Sequence, residues 1–220
     1  MQIIVKNISK KFKKVTVLNN VNMTFESGKI YGLVGRNGSG KSVFLKILCS
    51  FYKPNTGEVL FDNINYSSNN SFPPDTRALI EKPTFFPDLT GFENLKLLAN
   101  IQNKISDNEI NDTLEKVNLI HEKDKKYKEY SLGMKQKLGI AQVLMENPSV
   151  MIFDELFNGI EDDTVDKIRN ILLELKNQNK IIIVTSHIKE DIDILSIRQF
   201  DSVIFDLTDN LGKKDITGAL

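Results

Sequence analysis

An excess of charge of either sign is missing from this chain, where 29 lysines and arginines face 29 aspartates and glutamates. The basic residues are scattered, with only short runs such as Lys10-Lys11 and Lys123 to Lys126, so there is no stripe for a nucleic acid backbone. Nucleic acid is therefore not the expected partner. Long apolar runs are missing too: nothing approaches the roughly 20 residues a membrane-crossing helix needs. The longest good candidates, such as Ile181 to Val184, have the length of a buried strand. Met1-Gln2-Ile3-Ile4-Val5-Lys6 has too short an apolar segment for a secretory signal, so a cytoplasmic location is expected. Cysteine is nearly absent. Cys49 alone cannot close an internal disulfide, which fits a reducing compartment and leaves packing as its expected role. Internal repeats are missing, and only the asparagine-rich stretch 63–74 approaches low complexity. A length of 220 residues suits one large domain with a substantial core.

What is present is concentrated in one octapeptide, Gly35-Arg36-Asn37-Gly38-Ser39-Gly40-Lys41-Ser42, a complete G-x-x-x-x-G-K-[ST] loop. The apolar run Ile30 to Val34 precedes it and Val43 to Leu48 follows, so strand, loop and helix come in the order a phosphate cradle requires. Glycines at 35, 38 and 40 let the backbone take positive φ and approach phosphate closely, and the amides opening the helix supply donors. Lys41 is placed to reach the β and γ phosphates, and the Ser42 hydroxyl to coordinate Mg²⁺. These residues, with Val43, predict a nucleotide site.

The first part of the chain reads as strands. Ile3 and Val5 alternate with polar neighbours, as do Val21, Met23 and Phe25, and Glu26 to Lys29 form a turn. Val59 and Phe61 mark another strand; Asn63 to Pro74 read as loop or edge. Helical periodicity starts near Phe92. Phe92, Leu95 and Ala99 share a face, as do Ile110, Leu114 and Val117 on a segment capped by Ser106 or Asp107. A lysine-rich connector over 121–128 leads to a third helix with Met134, Leu138, Ala141 and Met145 on one side. Val150 to Phe153 and Ile181 to Val184 then read as parallel strands buried on both faces, joined by a helix with Val165, Ile168, Leu172 and Leu175 inward.

Both late strands end in polar chemistry, Asp154-Glu155 and Thr185-Ser186-His187, which should converge on the phosphate loop beyond the carboxyl ends of the sheet. An apolar strand ending in two acids reads as the metal-holding and water-polarising pair of a nucleotide hydrolase. Asp154 is the candidate Mg²⁺ ligand, Glu155 the candidate base, and His187 a candidate sensor of the γ phosphate. His121 sits in a charged connector with no partners and carries no assignment.

With these motifs in place, Tyr130-Ser131-Leu132-Gly133-Met134-Lys135-Gln136 resembles the LSGGQ signature of the ATP-binding subunits of ABC transporters, a likeness extending over nearly the whole chain. The resemblance implies an α/β fold: a P-loop NTPase of ABC ATPase type, with a RecA-like mixed sheet core, an antiparallel β portion and a helical subdomain inserted at about 85–146. The whole of 1–220 is then one domain. It implies that Ser131, Gly133 and Met134 cap the γ phosphate of ATP held by an opposite subunit, an anion site credible at a helix N-terminus. Phe12 lies where the family carries an aromatic that stacks on adenine; a strand-end aromatic that only packs is the other reading. Leu79-Ile80-Glu81-Lys82-Pro83 occupies the Q-loop, with glutamate at 81 where most members have glutamine. Glu81 then either ligates the metal or serves the coupling surface. Leu156 to Glu161 replaces the usual D-loop residues.

The segments IEKP, FPDLTGFENL and SLGMKQKLGIA resemble the branch containing bacitracin-resistance and lantibiotic or peptide export ATPases. The expectation is a subunit that hydrolyses ATP with Mg²⁺ and forms a homodimer or heterodimer of ATPase subunits. It would power export of a peptide, antibiotic or lipid-like substrate through a separate membrane-spanning permease, from the cytoplasmic face of the membrane. A regulatory ATPase that drives a membrane protein without transport stays open beside it. A soluble ATPase acting on ribosomes or nucleic acid would need a second ATPase domain, a coiled-coil insertion or zinc cysteines, and none is visible.

Overall fold

A computed structural model describes residues 1–186 and 202–206. Two sheets divide the work. Strands β1 (Gln2–Phe12), β2 (Val15–Glu26) and β4 (Thr56–Phe61) form an antiparallel sheet in the order β2-β1-β4. The five-stranded sheet joins β3 (Lys29–Val34), β5 (Thr76–Leu79), β6 (Val150–Phe153), β7 (Ile181–Ser186) and β8 (Ser202–Asp206) in the order β5-β6-β7-β3-β8, every pair parallel.

The apolar runs are continuous because the parallel sheet is buried on both faces, and successive side chains point to opposite ones. Tyr31, Leu33, Val150, Ile152, Ile181 and Ile183 enter a core shared with α1 (Lys41–Leu48) and the inner face of the antiparallel sheet, where Ile3, Val5 and Phe25 lie. Their neighbours Ile30, Met151, Phe153, Ile182 and Val184 enter a second core with the remaining helices. Cys49 belongs to the first core, and burial pushes its thiol pKa up to about 12, which fits its expected packing role.

Between β5 and β6 the chain forms α2 (Gly91–Gln102), α3 (Asp107–Lys116) and α4 (Leu132–Leu144); α5 (Asp162–Asn177) joins β6 to β7. Helix starts are fixed locally. Thr90 caps α2 and Ser106 caps α3, each in a reciprocal capping box with Glu93 and Glu109 respectively. Ser106 therefore takes the cap, and Asp107 is the first residue of α3. The lysine-rich connector contains two short 3-10 turns, Ile120–Glu122 and Tyr127–Glu129. Residues 63–74 hold no strand, only a 3-10 turn at Ser67–Asn69, and β5 follows them as a short strand of mixed character.

Candidate active site

Parallel register brings four strand ends to one edge. Leu79 pairs with Phe153, Phe153 with Val184, and Val184 with Gly32, so the segments that leave β5, β6 and β3 emerge beside one another around the end of β7. Val34 delivers the chain to Gly35 next to Ser186.

The loop 35–42 has the geometry of an anion cradle. Gly38 and Gly40 take φ of 82° and 96°, and a Cβ on Gly40 would stand 3.0 Å from Val17 and Leu18, so the β1–β2 hairpin packs directly on the loop. Arg36, Asn37 and Gly38 are exposed, while Gly35 is buried. No side chain caps α1, and its first turn holds no acidic residue. Its leading amides, those of Lys41, Ser42 and Val43, are therefore left for a ligand. Lys41, 5% exposed, donates to the Gly35 and Arg36 carbonyls at 2.6 and 3.2 Å, folded over the loop it is expected to serve. Among the described residues, Ser39 Oγ is buried without a hydrogen-bond partner. A buried orphan oxygen is costly, and a phosphate ligand in this loop fits its chemistry.

Asp154 joins the two sequence motifs. Its carboxylate accepts from the Ser42 hydroxyl at 2.5 Å and from the Thr185 hydroxyl at 2.5 Å. Thr185, fully buried, also accepts from the Glu155 amide at 3.0 Å, so one hydroxyl orients both acids. Asp154 N bonds the Leu79 carbonyl at 2.8 Å, anchoring the pair to β5. Glu155 is half-buried at a positive φ of 50°, which turns its side chain out of strand direction, and Asn158 donates to its Oε2 at 3.4 Å. Thr185 was legible in the sequence only as a polar strand end; its bonds to residues about thirty positions away were not.

A hydroxyl beside a single carboxylate fits Mg²⁺, which keeps several waters and takes one or two carboxylates plus substrate phosphates. Among the described residues no group of three or more His, Cys, Asp or Glu side chains forms a self-sufficient metal cage. Ser42 and Asp154 are the residues that would hold the ion. Glu81 is exposed, at φ 65°, and its Oε1 accepts from Lys46 Nζ at 2.5 Å.

Phe12, at the tip of the hairpin beside the loop, is 40% exposed and meets Tyr52 edge-on at 5.8 Å, with the Lys10 amine 5.2 Å from its ring centre. The signature segment stands on α4. Ser131 caps this helix by accepting from the Met134 amide at 3.2 Å and remains exposed; Met134 is partly buried. Gly133 is buried because a Cβ there would meet the Gly159 carbonyl at 2.6 Å. Gln136, a member of the signature segment without an assigned role, donates to the Glu155 and Leu156 carbonyls at 3.3 and 3.1 Å, tying the segment to its own acidic pair. His187 lies outside the described residues. A separate cleft of about 800 Å³ between α3 and α5 is lined by mixed charges such as Glu109, Lys116, Lys167 and Glu174, and contains none of these groups.

The ABC transporter family profile matches residues 18–158, from the second strand through the acidic pair. This chain belongs to that family. It is an ABC-type ATPase, a nucleotide-binding subunit of a transporter. The Bacillus subtilis ABC transporter ATP-binding protein YybJ is 42% identical over 186 residues, 84% of this chain and 85% of that protein. The Enterococcus faecalis bacitracin transport ATP-binding protein BcrA is 38% identical over 85% of this chain, which spans 61% of BcrA. The Streptococcus pyogenes lantibiotic transport ATP-binding protein SrtF is 34% identical, with 87% and 82% covered. Among solved structures, the ATP-binding cassette MJ0796 bound to ADP and Pi superposes with a TM-score of 0.83 at 24% identity over 99% of this chain and all of that one, a likeness of fold. No helix among the described residues of this ABC ATPase is long and apolar enough to cross a membrane.

Proposed function

We propose that this ABC ATPase binds Mg·ATP at the loop 35–42 and hydrolyses it in a dimer. In that dimer Ser131, Gly133 and Met134 of one subunit complete the site of the other. The observation that carries the reading is the Ser42–Asp154–Thr185 network with Glu155 held beside it. Lys41 and the α1 amides neutralise the β and γ phosphates, and Phe12 stacks on the base. Ser42 and Asp154 would hold Mg²⁺, which would supply charge neutralisation to the phosphates. Glu155, positioned through its backbone by Thr185, orients the attacking water and takes its proton. His187, the residue that follows β7 in sequence, serves in this reading as a further hydrogen-bond donor to the γ phosphate.

The work output belongs to a membrane-spanning partner chain, with this subunit docked on the cytoplasmic face. BcrA and SrtF, named for bacitracin and lantibiotic transport, support export of a peptide, antibiotic or lipid-like substrate. Residues 85–146 form the inserted helical subdomain that meets the partner, and no nucleic acid takes part.

The composite site is tested by a substitution that separates capping from phosphate binding. Aspartate caps a helix as well as serine, so Ser131→Asp should leave the melting temperature of the protein unchanged. Its carboxylate opposes the γ phosphate of the other subunit. A unit repulsion at 4 Å is about 4 kcal/mol at an effective dielectric of 20, on the order of a thousandfold in turnover. Lys41→Ala should be inactive through lost nucleotide binding. Mixing the two variants leaves one intact site in each heterodimer, so hydrolysis should return to about a quarter of the wild-type rate. Full activity of Ser131→Asp alone, or no recovery on mixing, would argue against completion in trans.

A further inference from the structure

Helix α1 offers two polar side chains one turn apart, and each meets a carboxylate from a different strand end. Ser42 and Lys46 are i and i+4, on the same face of the helix. The Ser42 hydroxyl donates to Asp154, and the Lys46 ammonium donates to Glu81 at 2.5 Å. The two carboxylates are also linked through the backbone, since Asp154 N bonds the carbonyl of Leu79, two residues before Glu81. Glu81 takes a left-handed φ of 65°, unusual for a residue with a side chain, so its direction is set by the turn and not by a strand. The Lys46 amine is held above the ordinary lysine value, first by the hydrogen bond to Glu81, with Asp154 among the smaller causes. Tyr52 borders the same amine, its ring centre 5.5 Å away. A single lysine thus pairs with the glutamate that stands where most family members have glutamine, and it feels the charge of the proposed metal carboxylate as well.

We propose that Lys46 is the resident counter-ion of Glu81 and competes with the divalent cation for that carboxylate. The proposal rests on the reading of loop 35–42 and Asp154 as a Mg·nucleotide site. The ammonium holds Glu81 at 2.5 Å; a divalent cation held by Ser42 and Asp154 would offer the carboxylate a second partner. An ion pair this exposed is weak, because Glu81's side chain is 62% accessible, so a dication displaces it readily. The exchange has a route outward. Two residues beyond Glu81, the Pro83 carbonyl accepts from Tyr127 at 2.7 Å, and Pro83 packs where Gly139 of α4 leaves room only for hydrogen. The partner chosen by Glu81 therefore bears on the segment that touches the helical part of the molecule.

The test measures metal affinity, not turnover. Mn²⁺ binding to the full chain saturated with ADP is followed by the loss of the free-ion paramagnetic resonance signal, in wild type, Lys46→Met, Lys46→Arg, Glu81→Ala and Lys46→Met/Glu81→Ala. Removing the competitor should tighten Mn²⁺ by about two- to fivefold, the range an exposed ion pair commands. Lys46→Arg should stay near wild type, Glu81→Ala should bind more weakly, and Lys46→Met should add nothing once Glu81 is gone. A Lys46→Met effect of equal size in both backgrounds would reduce Lys46 to general electrostatics and overturn the proposal, as would Glu81→Ala binding Mn²⁺ like wild type. A wild-type chain that takes up neither ADP nor Mn²⁺ would instead refute the nucleotide site itself.

Discussion

Asp154 shows how one side chain is made dependable. Two hydroxyls, from Ser42 and Thr185, meet its two oxygens, and Thr185 passes its other hydrogen-bonding role to the Glu155 amide. Thr185→Val keeps the shape but strips Asp154 of a donor and removes the hydroxyl acceptor of the part-buried Glu155 amide. Each such loss costs about 1–3 kcal/mol, so denaturant titration should show a drop of this order and phosphate release should slow as both acids lose their orientation. Unchanged stability and turnover would mean that Thr185 is only core. At this scale the sequence was legible wherever partners are neighbours in a motif: Gly35 to Ser42 and the Asp154-Glu155 pair are contiguous. It marked Thr185 only as a polar strand end and gave no role to Gln136 or Lys46, because the meaning of the three lies in bonds spanning 31, 20 and 35 positions.

The helices between β5 and β6 owe their starts to two reciprocal boxes, Thr90 with Glu93 and Ser106 with Glu109. Ser106→Ala should destabilise the protein by about 0.5–2 kcal/mol, read by thermal or denaturant unfolding. The glutamates add a pH signature. Hydrogen bonds from the cap residue, its backbone amide first, hold Glu93 and Glu109 below the ordinary glutamate value. A depressed carboxylate contributes in full above its unfolded-state pKa and loses that contribution as pH falls through the folded-state value. Unfolding free energy should therefore decline on acidification below about pH 4.5, less steeply in a Glu109→Gln variant; an identical slope would remove the box from the account. Elements with a clear period were readable, as with Leu95 and Ala99 on α2 or Ile110 and Leu114 on α3, all buried. β5 was not, because Thr76-Arg77-Ala78-Leu79 is short and lies on the edge of its sheet, with only Leu79 buried.

On the scale of the whole molecule, the signature segment and the acidic pair form one packed unit. Gly133 rests against the Gly159 carbonyl, Gln136 bonds the Glu155 and Leu156 carbonyls, and Lys137 pairs with Glu161 at 2.9 Å. Any side chain at Gly133 would disturb this unit before reaching a partner, which is why Ser131, exposed at the helix tip, is the better probe of a second subunit. The parallel sheet sets the site by bringing the ends of β5, β6, β7 and β3 to one edge, and its burial on both faces was visible in the continuous apolar runs of β6 and β7. Family motifs pointed to the chemistry; the register that assembles them was not written in any one segment. The central claim is that Glu155 activates water at a Mg·ATP site built by Lys41, Ser42 and Asp154. It is tested most directly by calorimetric Mg·ATP binding and phosphate release measured side by side on wild type and Glu155→Gln. The account predicts retained stoichiometric binding and release slowed by roughly 10²- to 10⁴-fold; release at the wild-type rate with binding intact would contradict it.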